Sequence, residues 1–170
     1  MKPKHVEFLM SSGSVVRFHE EPLPIDQNVG HHCWGVVVLL SIYHPGPSAQ
    51  LLRAAALHDA TEKLLGDPSF TSKILFPEIR EFHKRLEVEA SREMEISWVT
   101  EGLTQDDRRW IKWADTVEGM LWTKNLFEKF GYPIARTIYM RWWNFLQTMP
   151  LPSDYTEEAR QFTVHILKEL

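Results

Sequence analysis

An all-α domain is what this sequence predicts, and three observations predict it. From Asn28 onward the apolar residues recur at helical spacing rather than alternating, as one face of a helix requires. The Gly and Pro residues fall mostly between these periodic runs, where they act as breakers. A chain of 170 residues, 44% apolar and 12% aromatic, fills one substantial core and is short for two. The expectation is a single domain over residues 1–170, a bundle of about six helices.

Residues 1–27 are of mixed polarity and carry Pro22 and Pro24, which predicts a short helix near 4–12 followed by an irregular loop. Asn28 is a good N-cap, so a helix is expected from there to about Tyr43, ended by His44-Pro45-Gly46-Pro47. The next opens at Pro47 or Ser48 and carries Leu51, Leu52, Ala55, Ala56 and His58 to a stop at Gly66-Asp67-Pro68. Pro77 suits a first helical position, and the charged stretch after it, to about Ile96, reads as an amphipathic helix with a solvated face. Residues 104–130 follow, capped by Thr104 and ended by Gly131, then 133–148 and 154–169. The tryptophans at 110, 113, 122, 142 and 143 lie at helical spacings and are expected in the core or at subunit contacts. His83 and His165, set among charged residues, are expected in solvent.

Composition narrows the function. A formal charge of −4 with no Lys/Arg run argues against a surface for long nucleic acid, and leaves room for a small anionic ligand gripped by a few basic residues. No apolar stretch approaches the ~20 residues that span a bilayer, and the sequence shows no positively charged start followed by an apolar run, so the expectation is a soluble, cytoplasmic protein without a membrane partner. Cys33, the single cysteine, supplies neither an internal disulfide nor a thiolate cluster, and is expected as a small buried residue.

The informative string is Ala56-Leu57-His58-Asp59-Ala60-Thr61-Glu62-Lys63-Leu64-Leu65-Gly66-Asp67. On a continuous helix His58 and Glu62 are i,i+4 neighbours and Asp59 and Glu62 are i,i+3, so the three heads converge on an arc able to hold a metal and a base. Imidazole with carboxylate suits zinc, manganese, cobalt or iron, and further ligands must come from elsewhere in the fold. His32, in the first turn of a strongly apolar helix, and Asp115, which interrupts Trp110-Ile111-Lys112-Trp113-Ala114, are the natural partners, because a carboxylate on a buried face needs one.

An early His, a His-Asp doublet on the next helix and an isolated Asp on a later helix resemble the signature of the HD superfamily, and the chain is similar to its bacterial and phage 5′-deoxynucleotidase branch. Asn28-Val29-Gly30-His31-His32-Cys33-Trp34-Gly35-Val36 resembles that branch's V-x-E-H-S-x-x-V, with His31 standing where the family has Glu. His58 to Asp67 resembles H-D-x-x-E-x-x-x-G-D without a gap, Lys73 matches a family lysine, and Lys112-Trp113-Ala114-Asp115 matches K-x-A-D. Related phage enzymes that release triphosphate from deoxyadenosine triphosphate share the framework.

The resemblance implies a single HD phosphohydrolase domain in which His32, His58, Asp59 and Asp115 bind one divalent metal, Co, Mn or Zn. A polyphosphate substrate would bring a second ion, Mg. Glu62 matches the acid that handles the attacking water. Asp67 matches a second family acid that orients the site or the sugar, and as a residue it equally suits a helix-end turn beside Gly66. Arg17, Phe18 and Lys73 match the substrate wall, the two cations on phosphate and the aromatic on sugar, where its bulk would disfavour a 2′-hydroxyl. Glu20 either reaches the base or faces water. The implied partner is a small deoxynucleotide, monophosphate first and triphosphate as the alternative. A catalytically silent nucleotide-binding HD module is the rival of another class, and the presence of all four ligand positions and Glu62 speaks against it. Trp142, Trp143, Tyr139 and Met140 would leave an apolar patch, so a homo-oligomer, dimer or higher, is expected. The compartment implied is the bacterial cytoplasm, or the host's if a phage encodes the chain.

Overall fold

The computed structural model describes residues 2–67, 72 and 75–168. The described chain runs α1 (Pro3–Ser12), strands β1 (Val16–Arg17) and β2 (Gln27–Asn28), α2 (Val29–Tyr43), α3 (Ala49–Leu57), α4 (Glu62–Leu65), α5 (Pro77–Glu93), a 3-10 turn (Ser97–Val99), α6 (Gln105–Phe130), α7 (Pro133–Thr148) and α8 (Glu157–Lys168). The all-α expectation holds apart from the short antiparallel pair β1–β2, which sets Arg17 opposite Gln27 and Val16 opposite Asn28.

The helix ends follow local chemistry. The Asn28 side chain accepts the His31 N–H at 2.8 Å and Ser48 accepts that of Leu51 at 3.0 Å, so α2 and α3 start where their caps stand. Thr104 and Asp107 form a reciprocal capping box on α6. Gly131 stops that helix in the left-handed region at φ 65°, a conformation cheap only without a Cβ.

α6 is the axis of the fold. Every residue from Trp113 to Met120 is buried, because α2, α3 and α7 pack around it. Val36 and Leu40 of α2, Leu51 of α3, and Ile138 and Trp142 of α7 meet Trp110, Trp113 and Val117 in one core. The fully buried indoles are satisfied, Trp110 Nε1 donating to Asp154 at 2.8 Å and Trp113 Nε1 to Thr163 at 3.1 Å. A smaller cluster of Phe8, Ala54, Ala60, Ile96 and Val99 seats α1 and the 3-10 turn against the end of α3. Among the described residues no helix is long and apolar enough to cross a membrane.

Four expectations need correction. The helix expected through residues 48–66 is interrupted: α3 ends at Leu57 and α4 begins at Glu62. Between them Ala60 N–H donates to Leu57 O and Glu62 N–H to Asp59 O, both at 3.0 Å, so i to i+3 bonds tighten the chain into turns. α5 stops at Glu93 rather than near Ile96, where Glu95 takes φ 53° and turns the chain into the 3-10 segment. His83 is buried, not solvated: with Ala90 it lies on the one face of α5 that packs inward, and it pairs with Glu87 at 3.0 Å. The apolar patch near the C-terminus is smaller than expected, because Tyr139 and Trp142 point into the core and only Met140 of that set is exposed.

Candidate metal centre

The N-cap at Asn28 puts His32 in the first turn of α2, facing α6, where its ring is fully buried. Asp115 projects from the middle of α6 and meets it, with Oδ1 3.2 Å from His32 Nε2. The turn after α3 delivers the doublet: Asp59 Oδ1 lies 3.4 Å from His58 Nε2, and Oδ2 lies 3.6 Å from His32 Nε2. The two imidazoles are 5.3 Å apart between centroids, and His32, His58 and Asp115 each place one ligand atom within 4.8 Å of the other two. α2, α6 and the α3–α4 turn therefore bring the four predicted ligands to one point.

The donor set fits a divalent cation on two counts. Both Nε2 atoms are buried and make no hydrogen bond, although carboxylates face them. Both Nδ1 atoms are engaged on the far side, His58 with the Ala55 carbonyl at 2.8 Å and His32 with Glu118. A ring whose Nδ1 donates to an oxygen keeps the Nε2 lone pair for a metal. Carboxylates also outnumber cations here. Asp59, Asp115, Glu118 and Asp67 surround Arg17, and Lys112 bonds Asp115 Oδ2 at 2.6 Å, leaving Oδ1 turned to the histidines.

The same crowding sets the protonation of the metal-free site. Burial favours the neutral forms, yet Lys112 and His32 outweigh it at Asp115, whose carboxylate is held well below the ordinary range. Burial likewise works against a charged His58, but Asp59, with Cys33 and Asp115, holds that imidazole well above its ordinary value. Cys33 is buried as expected, and its Sγ faces His58 Nδ1 at 3.7 Å, the nitrogen already bonded to Ala55, so it backs the ring rather than joining the ligands.

No family model matches the sequence, and no curated protein matches it. Among solved structures, the cyanophage S-2L HD phosphohydrolase DatZ, bound to dA and one catalytic Zn2+ ion, is 20% identical, with 99% of this chain and 98% of that chain covered at a TM-score of 0.67. The chain has the fold of that HD phosphohydrolase.

On this HD fold the remaining predicted site residues fall as follows. Glu62 is buried in the first turn of α4, next after the turn that carries His58 and Asp59. Asp67 accepts the Phe18 N–H at 3.2 Å, supporting Phe18 in a left-handed backbone at φ 57°. The Phe18 ring stacks on Trp122 at 5.1 Å with 3° between planes, and the Arg17 guanidinium lies 5.2 Å from its centroid. Trp122, half-buried, is thus the support of Phe18. Arg17 is buried, bonded to Gln27 at 3.0 Å, with Asp115 at 3.8 Å and Glu118 at 3.6 Å. Glu20 is exposed beside His19, and His31 lies on the outer face of α2 against Trp34. Lys73 lies outside the described residues.

Sequence reasoning missed Glu118 and Gln27. Glu118 had a signal: it stands one turn beyond Asp115 in the buried run Thr116-Val117-Glu118-Gly119-Met120, where an acid needs a partner. Gln27 had none, since nothing in its loop predicts complete burial.

Proposed function

We propose that this chain is a metal-dependent phosphohydrolase that cleaves the bond between the 5′ oxygen of a 2′-deoxynucleotide and its first phosphorus. The observation that carries the reading is the convergence of two buried, hydrogen-bond-free imidazole Nε2 atoms with the Asp59 and Asp115 carboxylates. His32, His58, Asp59 and Asp115 would hold the ion. A divalent cation bound there supplies Lewis acidity to the phosphoryl group and makes water more acidic.

The chain's own residues do the rest. Glu62 takes the proton of the attacking water, the role for which a buried carboxylate just beyond the ligand doublet is suited. Water oxygen bonds to phosphorus as the P–O5′ bond breaks, and the proton taken up by Glu62 passes to the departing 5′ oxygen, which leaves as the hydroxyl of the deoxynucleoside. Arg17 and Lys73 offset phosphate charge. Phe18, held by Asp67 and Trp122, lies against the sugar and excludes a 2′-hydroxyl. Asp67 is thereby assigned to orienting the substrate wall. A deoxynucleoside monophosphate is the first substrate, with Co, Mn or Zn as the ion.

A second reading keeps the attack and takes a deoxynucleoside triphosphate, with a Mg ion on the polyphosphate. The likeness to a cyanophage enzyme favours it, since the phage relatives that the sequence resembles release triphosphate. Product analysis over the four deoxynucleoside mono- and triphosphates with Co, Mn and Zn tests both. Orthophosphate from monophosphates indicates the first and tripolyphosphate from triphosphates the second. Absence of hydrolysis under every combination, with metal bound, refutes both and leaves a nucleotide-binding HD module.

A further inference from the structure

A buried line of four side chains runs from the substrate wall to the metal centre, and its hydrogen-bond direction is dictated at one end. Arg17 has only donors. Its Nη1 lies 3.0 Å from Gln27 Oε1, so the Gln27 amide must turn its oxygen to Arg17 and its NH2 the other way. That NH2 donates to Glu118 Oε1 at 2.7 Å. The other Glu118 oxygen meets His32 Nδ1, and Arg17, 3.6 Å from it, complements a carboxylate there. A carboxylate only accepts, so the proton on this hydrogen bond belongs to His32 Nδ1. A neutral imidazole carries one N–H, which leaves Nε2 bare on the side of His58, Asp59 and Asp115.

We infer that Gln27 and Glu118 are positioning residues: Arg17 and Gln27 hold Glu118 in place as an acceptor, which fixes the Nδ1–H tautomer of His32 and reserves Nε2 for the metal. The inference rests on the reading of His32 as a ligand. The fold is built around this line: the β1–β2 register sets Arg17 beside Gln27, Gln27 is fully buried, and Glu118 is packed against α2. Gly35, one turn beyond His32, makes the room. A Cβ at that position would stand 2.6 Å from Glu118 Cγ and 3.3 Å from Cδ, so even alanine would push the carboxylate out of line. The relay can therefore be broken without altering any of its members.

The test is the tautomer of His32 in metal-free protein carrying 15N-histidine, read by long-range 1H–15N correlation at a pH where the ring is neutral, with zinc affinity measured in parallel by chelator competition. Wild type should show the Nδ1–H pattern. Glu118→Ala and Gly35→Ala should lose it, and their zinc dissociation constants should rise about 10- to 100-fold, the range for losing a group that orients a metal-bound histidine. Gln27→Met should move both readouts in the same direction by less. If Glu118→Ala does not fold, Gly35→Ala and Gln27→Met carry the test by the same criteria. A wild-type ring protonated on Nε2 overturns the inference. So does a variant that keeps the Nδ1–H tautomer, or one that binds zinc within about twofold of wild type, since no 10- to 100-fold loss would then follow. Wild type that binds no zinc would sink the functional reading instead, while the tautomer still decides the relay.

Discussion

Asp115→Asn separates the metal-binding role of the centre from its contribution to the fold. In the metal-free protein Asp115 contacts Lys112 at 2.6 Å, His32 at 3.2 Å and Arg17 at 3.8 Å. The Lys112 side chain is 46% exposed, so solvent screens that pair to about 0–1 kcal/mol. Arg17 keeps Glu118 at 3.6 Å and Gln27 at 3.0 Å, so it is not left as an orphaned charge. Removing the Asp115 charge also relieves its repulsion of Asp59. The net cost to the metal-free fold is on the order of 1 kcal/mol, or about 2–4 °C in a domain of this size. Zinc should act very differently on the two proteins. At roughly 100 times Kd it stabilises wild type by about 2.7 kcal/mol, a rise of about 5–11 °C. Loss of a ligand that weakens binding at least ~100-fold leaves about 0.4 kcal/mol at the same zinc concentration, a rise of only about 1–2 °C. Calorimetric melting of chelator-treated protein with and without zinc measures both numbers. An Asp115→Asn protein that retains the wild-type zinc-induced rise would refute Asp115 as a ligand.

Three further outcomes follow from the same geometry. Glu62→Ala should still bind zinc and nucleotide while losing roughly 10²–10⁴ in rate, the span for a positioned acid or base; loss of zinc together with rate would make Glu62 a ligand instead. Phe18→Ala should lower the ratio of kcat/KM for a deoxynucleotide over its ribonucleotide even as total rate falls through the lost stack on Trp122, and an unchanged ratio removes Phe18 from sugar selection. In the metal-free protein the folded His58 titrates above its ordinary value of 6.5, so the stability it contributes is complete below about that pH and is lost as pH rises through the folded value. Zinc requires the neutral ring, so its stabilising effect should grow over the same window. Melting temperatures against pH with and without zinc would expose the error if the zinc increment stayed flat across it.

The helices were legible because their signals are local. Asn28, Ser48, Thr104 and Gly131 all act where a cap or stop was read, since each works through its own side chain or its own φ. The β1–β2 pair was not legible, because two-residue strands have no period to read and the loop between them carries Pro22 and Pro24. The break between α3 and α4 was missed for a related reason. Every residue from Ala56 to Leu65 tolerates a helix, and what tightens the chain at His58 is packing around Ala60 in the small core with Phe8 and Ile96, distant in sequence.

At the site, the residues whose chemistry is costly to bury could be found one by one, while the groups that justify their burial could not. Asp115 and His32 stand out in apolar helices, and they do meet. Their partners come from elsewhere: Arg17 and Gln27 from paired strands too short to read, and Glu118 from the same helix face as Asp115. A one-dimensional pattern records that an acid is present, but the direction of a hydrogen bond depends on which neighbour can only donate. Here that neighbour is Arg17, and its placement follows from the Val16–Asn28 and Arg17–Gln27 register, a long-range fact. The same guanidinium that the sequence assigns to phosphate thus stands at the head of the line that orients His32. A nucleotide phosphate engaging Arg17 would therefore act on a group already joined to the candidate metal centre through Gln27 and Glu118, and would tie substrate binding and ligand geometry to one residue.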